Sequence, residues 1–156
     1  MANRLSEDED YKLWVLLNQT RDAVYNVRQR RLQACDVTLE QASILFTVGM
    51  HGGRATPTQI SQWVIRRHHT VLGILDRMQK VGLLKRSKGL ENKNRVEISM
   101  TEKGWQTLGA AANTEGLRNI MACLSDEDRH HLFSSLTRLR FSALEQAGAL
   151  GKPEYP

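Results

Sequence analysis

Two cysteines, Cys35 and Cys123, are all the chain has: too few for a disulfide framework and too far apart for a Cys-x-x-Cys redox pair. They read as inert packing thiols in a reducing cytoplasm. Long apolar runs are missing as well. The most apolar stretch, Ile44 to Met50, is interrupted by Thr47 and Gly49 and falls far short of a membrane span. The opening residues, through Glu7, Asp8, Glu9 and Asp10, are acidic and lack the apolar centre of a signal peptide. No internal repeat or low-complexity tract is present. No Ser/His/Asp spacing, phosphate loop or pair of buried acids suggests catalysis, so the chain is read as a non-enzyme without a cofactor. His130 and His131 are adjacent, and on a helix their rings diverge by about 100°, which is wrong for joint metal binding. Asp126 and Glu127, four residues before them, read as surface partners, and no metal site is expected.

What is present is an uneven distribution of charge. The net charge is +5. Between Arg54 and Lys103 eleven basic residues face four acids, leaving +7, whereas the rest of the chain carries −2. A basic middle between mildly acidic ends is the footprint expected of a nucleic-acid module in a neutral scaffold. At 156 residues, with 40% hydrophobic and 25% charged, the chain is one globular unit able to bury its own core.

Local signals divide that unit. Ser6 and Glu9 open a helix whose stripe Leu13, Leu17, Val24 and Val27 runs to about Arg31. Thr38 and Gln41 form a second capping box, and Gly52-Gly53 ends that helix. Thr56-Pro57-Thr58-Gln59 opens a short third helix that stops near Val64. A fourth starts with Ile65-Arg66-Arg67-His68-His69-Thr70 and buries Val71, Ile74, Leu75 and Met78; Gly82 supplies its left-handed cap. The period then changes from helix to strand. Val96, Ile98 and Met100 alternate with polar residues and can pair with residues 83–87 across the basic loop from Lys88 to Lys93. Thr101 starts a long helix (Trp105, Leu108, Ala112, Leu117, Ile120, Met121, Leu124), and Ser125 caps a last one bearing Leu132, Leu136, Leu139 and Ala143. Residues 148–156 read as a loose tail. Trp14, Trp63 and Trp105 sit in apolar stripes and read as core.

The fold class is therefore mainly α: a winged helix-turn-helix with a two-stranded β wing over residues 36–100, and a helical dimerisation region over 6–32 and 101–147. The stripes Leu13, Leu17, Val24 and Leu132, Leu136, Leu139 exceed what one small winged domain can cover, which predicts a homodimer.

The fourth helix carries the chemistry. No Ser, Thr, Asp or Asn stands at its cap, while Arg66, Arg67, His68 and His69 crowd the positive end of its dipole. Phosphates and guanine edges are the natural complement of that conflict. Arg66, Thr70, Gly73 and Arg77 share one stripe. Gly73 allows close approach either of a neighbouring helix or of the duplex, and Asp76 is placed to pair with Lys80. In the wing, Lys88, Lys93, Asn94 and Arg95 suit phosphates or a minor groove.

Two segments resemble a known family. Leu75-Asp-Arg-Met-Gln-Lys-Val-Gly-Leu-Leu-Lys-Arg86 and Val96-Glu-Ile-Ser-Met-Thr-Glu-Lys-Gly104 are similar to the recognition-helix exit and last wing strand of the MarR-type (multiple antibiotic resistance) winged-helix regulators. The resemblance spans roughly residues 13–144. It implies a cytoplasmic homodimer that binds a pseudo-palindromic operator in double-stranded DNA, commonly a repressor relieved by a small-molecule effector or by oxidation, with no membrane partner. The chain departs from the family at Asn92-Lys93-Asn94, where many members carry an Asp-x-Arg brace, and it has no cysteine near the start of its first helix. A winged-helix module meeting an acidic protein is the alternative reading of the same basic face.

Overall fold

In a computed structural model, which describes residues 8–88 and 96–148, helix α1 (Glu9–Gln33) is followed by α2 (Leu39–Met50), strand β1 (Arg54–Ala55), α3 (Pro57–Trp63) and α4 (His68–Lys80). Strands β2 (Leu84–Lys88) and β3 (Val96–Met100) come next, then α5 (Glu102–Ala111), α6 (Glu115–Met121) and α7 (Asp126–Gln146). The capping boxes at Thr38/Gln41 and Thr56/Gln59 form as their spacing predicts. Ser6 lies outside the described residues. Asp8 is the cap of α1, its carboxylate accepting the N–H groups of Asp10 and Tyr11.

The core is the winged unit itself. Ile44, Leu45 and Val48 of α2 meet Ile60 of α3 and Val71, Leu75 and Met78 of α4, and the floor is Leu84, Ile98 and Met100 of the sheet. β2 and β3 pair antiparallel with Arg86 opposite Ile98, so the hairpin forms as expected, one residue later than 83–87. β3 is the central strand of three, because β1 pairs with its other edge. Two residues are too few to show a period, so β1 had no sequence signal.

Three further expectations are corrected. The long helix from Thr101 is two helices. Arg28 donates to the carbonyls of Ala111 and Asn113, and the Asn113 side chain accepts the Glu115 N–H, which turns the chain between α5 and α6. Trp14 and Trp105 are not core: both are exposed, and Trp63 is half-buried. Trp105 instead lies over the backbone at Gly49 and Gly53. Cys123 is exposed and donates to the Ile120 carbonyl, so only the half-buried Cys35 is a packing thiol.

Helix α7 opens on a third capping box, Ser125/Asp128. The Ser125 hydroxyl, first of all, and then its N–H donate to the Asp128 carboxylate and hold its pKa below the ordinary carboxylate value. The folded state favours the ionised form, so the cap contributes fully above the unfolded pKa of about 4 and is lost as pH falls through the lower folded value. Amide protection in the first turn of α7 is expected to fall as the pH drops below about 4. The non-titrating Thr/Gln boxes of α2 and α3 should hold there. Equal loss at all three would contradict this assignment.

Candidate nucleic-acid interface

The interface begins where α3 ends. The Ile65 N–H donates to the Gln62 carbonyl and the Arg66 N–H to that of Ser61, a six-residue wrap that closes α3 with Ile65 in the left-handed region, φ 51°. A β-branched residue there carries strain on the order of 1–3 kcal/mol. Ile65 and Arg66 are thus in the turn, Arg67 is the extended N-cap, and α4 starts at His68, three residues later than its sequence suggested. Among the described helices of eight or more residues, α4 alone lacks a side-chain cap. Arg66, Arg67, His68, His69 and Thr70 are all exposed around that start. Each cation held against the positive end of the dipole costs about 0.3–1 kcal/mol in the free protein.

Val71, Ile74, Leu75 and Met78 are buried as their spacing requires, so α4 is fixed by one face and presents the other. Arg77 is exposed on that outer side. The nearest heavy atom to a side chain built at Gly73 is the Arg77 guanidinium, at 4.0 Å. No neighbouring helix of the chain approaches Gly73, so close packing against one is not the reason for a glycine there.

The C-terminal end of α4 is anchored to the wing. Gly82, φ 77°, takes the left-handed cap, with the Leu83 N–H on the Met78 carbonyl and the Gly82 N–H on that of Gln79. The Thr101 hydroxyl lies 2.7 Å from the Gly82 carbonyl and 3.0 Å from that of Leu83, and it accepts the Gly104 N–H; Lys103 donates to the Val81 carbonyl. Asp76 pairs with Arg86 of β2 at 2.6 Å rather than with Lys80, because β2 runs back beside the helix and delivers a guanidinium to it. The pair is partly exposed and worth only about 0–1 kcal/mol, but it ties α4 to β2. Lys93, Asn94 and Arg95 lie outside the described residues, and Lys88 closes β2 opposite Val96.

Behind the interface lies a cavity of about 260 Å³ that the sequence did not reveal. Tyr25 of α1, Glu40 and Ser43 of α2, Trp63 and Val64 at the end of α3, Arg66 of the turn and Ile74 of α4 line it. The Tyr25 hydroxyl donates to Glu40 at 3.5 Å. These residues come together only through the packing of α1 on the winged unit, so no local motif marks them.

The dimerisation candidates are surface residues of the single chain. Leu13, Leu17, Leu132, Leu136 and Leu139 are exposed and Val24 is half-buried. His131 lies 3.6 Å from Glu127 as a surface pair, while His130 turns to the Asp126 carbonyl. No helix among the described residues is long and apolar enough to cross a membrane.

Comparison with known proteins bears on this geometry. A family of winged helix DNA-binding domains matches residues 37–104. No curated protein matches the chain. Among solved structures, the chain is similar to the organohalide-sensing transcriptional regulator RdhR-CbdbA1625 in its 2,4-dichlorophenol-bound form. Identity is 27% over 92% of this chain and 86% of that one, with TM-score 0.84. A probable transcriptional regulator from Pseudomonas aeruginosa matches at 25% identity over 85% of this chain and 99% of that one, TM-score 0.74. The fold is shared with a MarR variant from E. coli complexed with operator DNA, at 16% identity over 82% of this chain and 93% of that one, TM-score 0.76.

Proposed function

We propose that this chain, whose residues 37–104 match a family of winged helix DNA-binding domains, is a regulator of the MarR type: a homodimeric repressor, released from a pseudo-palindromic operator by a small molecule. The observation that carries the reading is the entry of α4: an uncapped helix start ringed by Arg66, Arg67, His68 and His69. In the free protein the Arg66 and Arg67 guanidinium groups repel one another, and no side chain caps the helix start. Phosphates and guanine edges satisfy both at once.

Dimerisation is supported by α7, a helix of 21 residues with one buried side chain, Leu144, and by α1, where Leu32 alone is buried. A helix of that length is not held by its own propensity; a second chain supplies the missing apolar surface. Light scattering at micromolar concentration is expected to give about twice the chain mass of 17.7 kDa. The mass of a single chain would remove the dimer.

Release by an effector is supported by the cavity behind the turn. Its volume suits a molecule of about one ring, and Trp63, Val64 and Arg66 make it continuous with the turn that sets α4. The similar RdhR-CbdbA1625 regulator is known with 2,4-dichlorophenol bound. Selection of duplexes from a random pool tests the reading as a whole. The retained DNA should share two inverted half-sites about one helical turn apart. Retention of no DNA would return the basic face to an acidic protein partner.

A further inference from the structure

We propose that Ile65 reads a thymine methyl group in the operator, a specificity contact made from the turn before the recognition helix and not from that helix. The proposal deepens the DNA-binding reading and rests on it. Its basis is a mismatch between residue and position that occurs once among the described residues. Six described residues close helices or their exits in the left-handed region: Asp36 after α1, Gly52 and Gly53 after α2, Ile65 after α3, Gly82 after α4 and Gly148 after α7. Glycine has no Cβ to clash there, and aspartate tolerates the region. A β-branched side chain does not. At Ile65 the backbone conformation is nevertheless enforced by the two hydrogen bonds to Ser61 and Gln62 that end α3.

Nothing in the free protein repays the isoleucine. Its side chain is 47% exposed and belongs to neither the core cluster nor the wall of the cavity, although its neighbours Val64 and Arg66 do line that cavity. Arg66, Arg67 and His68, next along the chain, are exposed and arranged for a polyanion. An apolar group at such a rim adds nothing to phosphate binding. The apolar feature that a duplex offers in its major groove is the C5-methyl group of thymine. Strained residues concentrate where a bound partner uses them, and Ile65 stands at the mouth of the helix proposed to enter that groove.

The test uses a duplex that the full-length protein selects from a random pool, with each thymine replaced in turn by deoxyuridine, which lacks only the methyl group. The wild type is expected to lose about fourfold in affinity at one thymine per half-site, the worth of one buried methyl-sized group. Ile65→Gly and Ile65→Asn should lose about the same factor on the unmodified duplex and nothing further when that thymine becomes deoxyuridine. Both variants should melt no lower than the wild type, since both residues suit a positive φ. Wild-type affinity in both variants, or a loss that is additive with removal of the methyl group, would overturn the assignment while leaving DNA binding in place. A wild type that retains no duplex at all would overturn the assignment and the DNA-binding reading together.

Discussion

Gly104→Ala is expected to destabilise the protein by about 3 kcal/mol, the upper end of what overpacking costs, and to lower its melting temperature by roughly 6–12 °C. A Cβ built at Gly104 lies 2.2 Å from the Leu83 carbonyl oxygen and 2.9 Å from the Met100 sulfur. The sulfur could move. The carbonyl could not, because it accepts from both the Thr101 N–H and the Thr101 hydroxyl at the junction of α4, wing and α5. Relief therefore means displacing the start of α5 from the exit of α4, and the hairpin with it. Gly104→Ala should accordingly weaken DNA binding even at temperatures where it remains folded. Thermal unfolding followed by circular dichroism decides the stability part, and a melting temperature within about 2 °C of the wild type would show that the junction yields cheaply.

The second large effect concerns specificity and separates the recognition helix from the wing. Arg67→Ala should remove a contact to a base edge, narrowing the gap between operator and random DNA by about 1–3 kcal/mol. Lys93→Ala, between the two wing strands in sequence, should weaken both DNAs by a similar factor and reduce the salt slope by about one unit. Arg95 is a less clean test, since a wing arginine inserted into an A·T-rich minor groove also reads sequence. Affinities of both variants for both duplexes across a salt series distinguish the two roles. If Arg67→Ala keeps its full preference for operator, Arg67 contacts phosphate and the base reading lies elsewhere on α4.

The winged unit was legible in the sequence because its signals are local. Thr38/Gln41 and Thr56/Gln59 announce helix starts, Gly82 announces a helix end, and alternation at Val96, Ile98 and Met100 announces a strand. The missing cap at α4 was legible for the same reason, and it marks the candidate site. What escaped depends on contacts between distant residues. Periodicity continues unbroken from Trp105 to Leu124, and only the Arg28 guanidinium, 83 and 85 residues away in sequence, explains why the helix divides at residues 112–114. Asp76 has a helical partner in Lys80 on paper, but the hairpin brings Arg86 closer than any rule of spacing foresees. An apolar stripe also looks the same whether it faces a core or another subunit, which is why Trp14 read as buried and is exposed. Ile65 escaped because residue type gives no hint of a positive φ where glycine or asparagine would.

The central claim is that the entry of α4 binds operator DNA through charge and base contacts together. Dissociation constants of the wild type for its selected duplex and for a scrambled duplex of equal length, measured between about 50 and 200 mM salt, test it most directly. Both affinities should fall steeply with salt, while the selected duplex stays about 10³-fold or more tighter throughout. Equal affinity for the two duplexes, or affinity for either that does not change with salt, would contradict it.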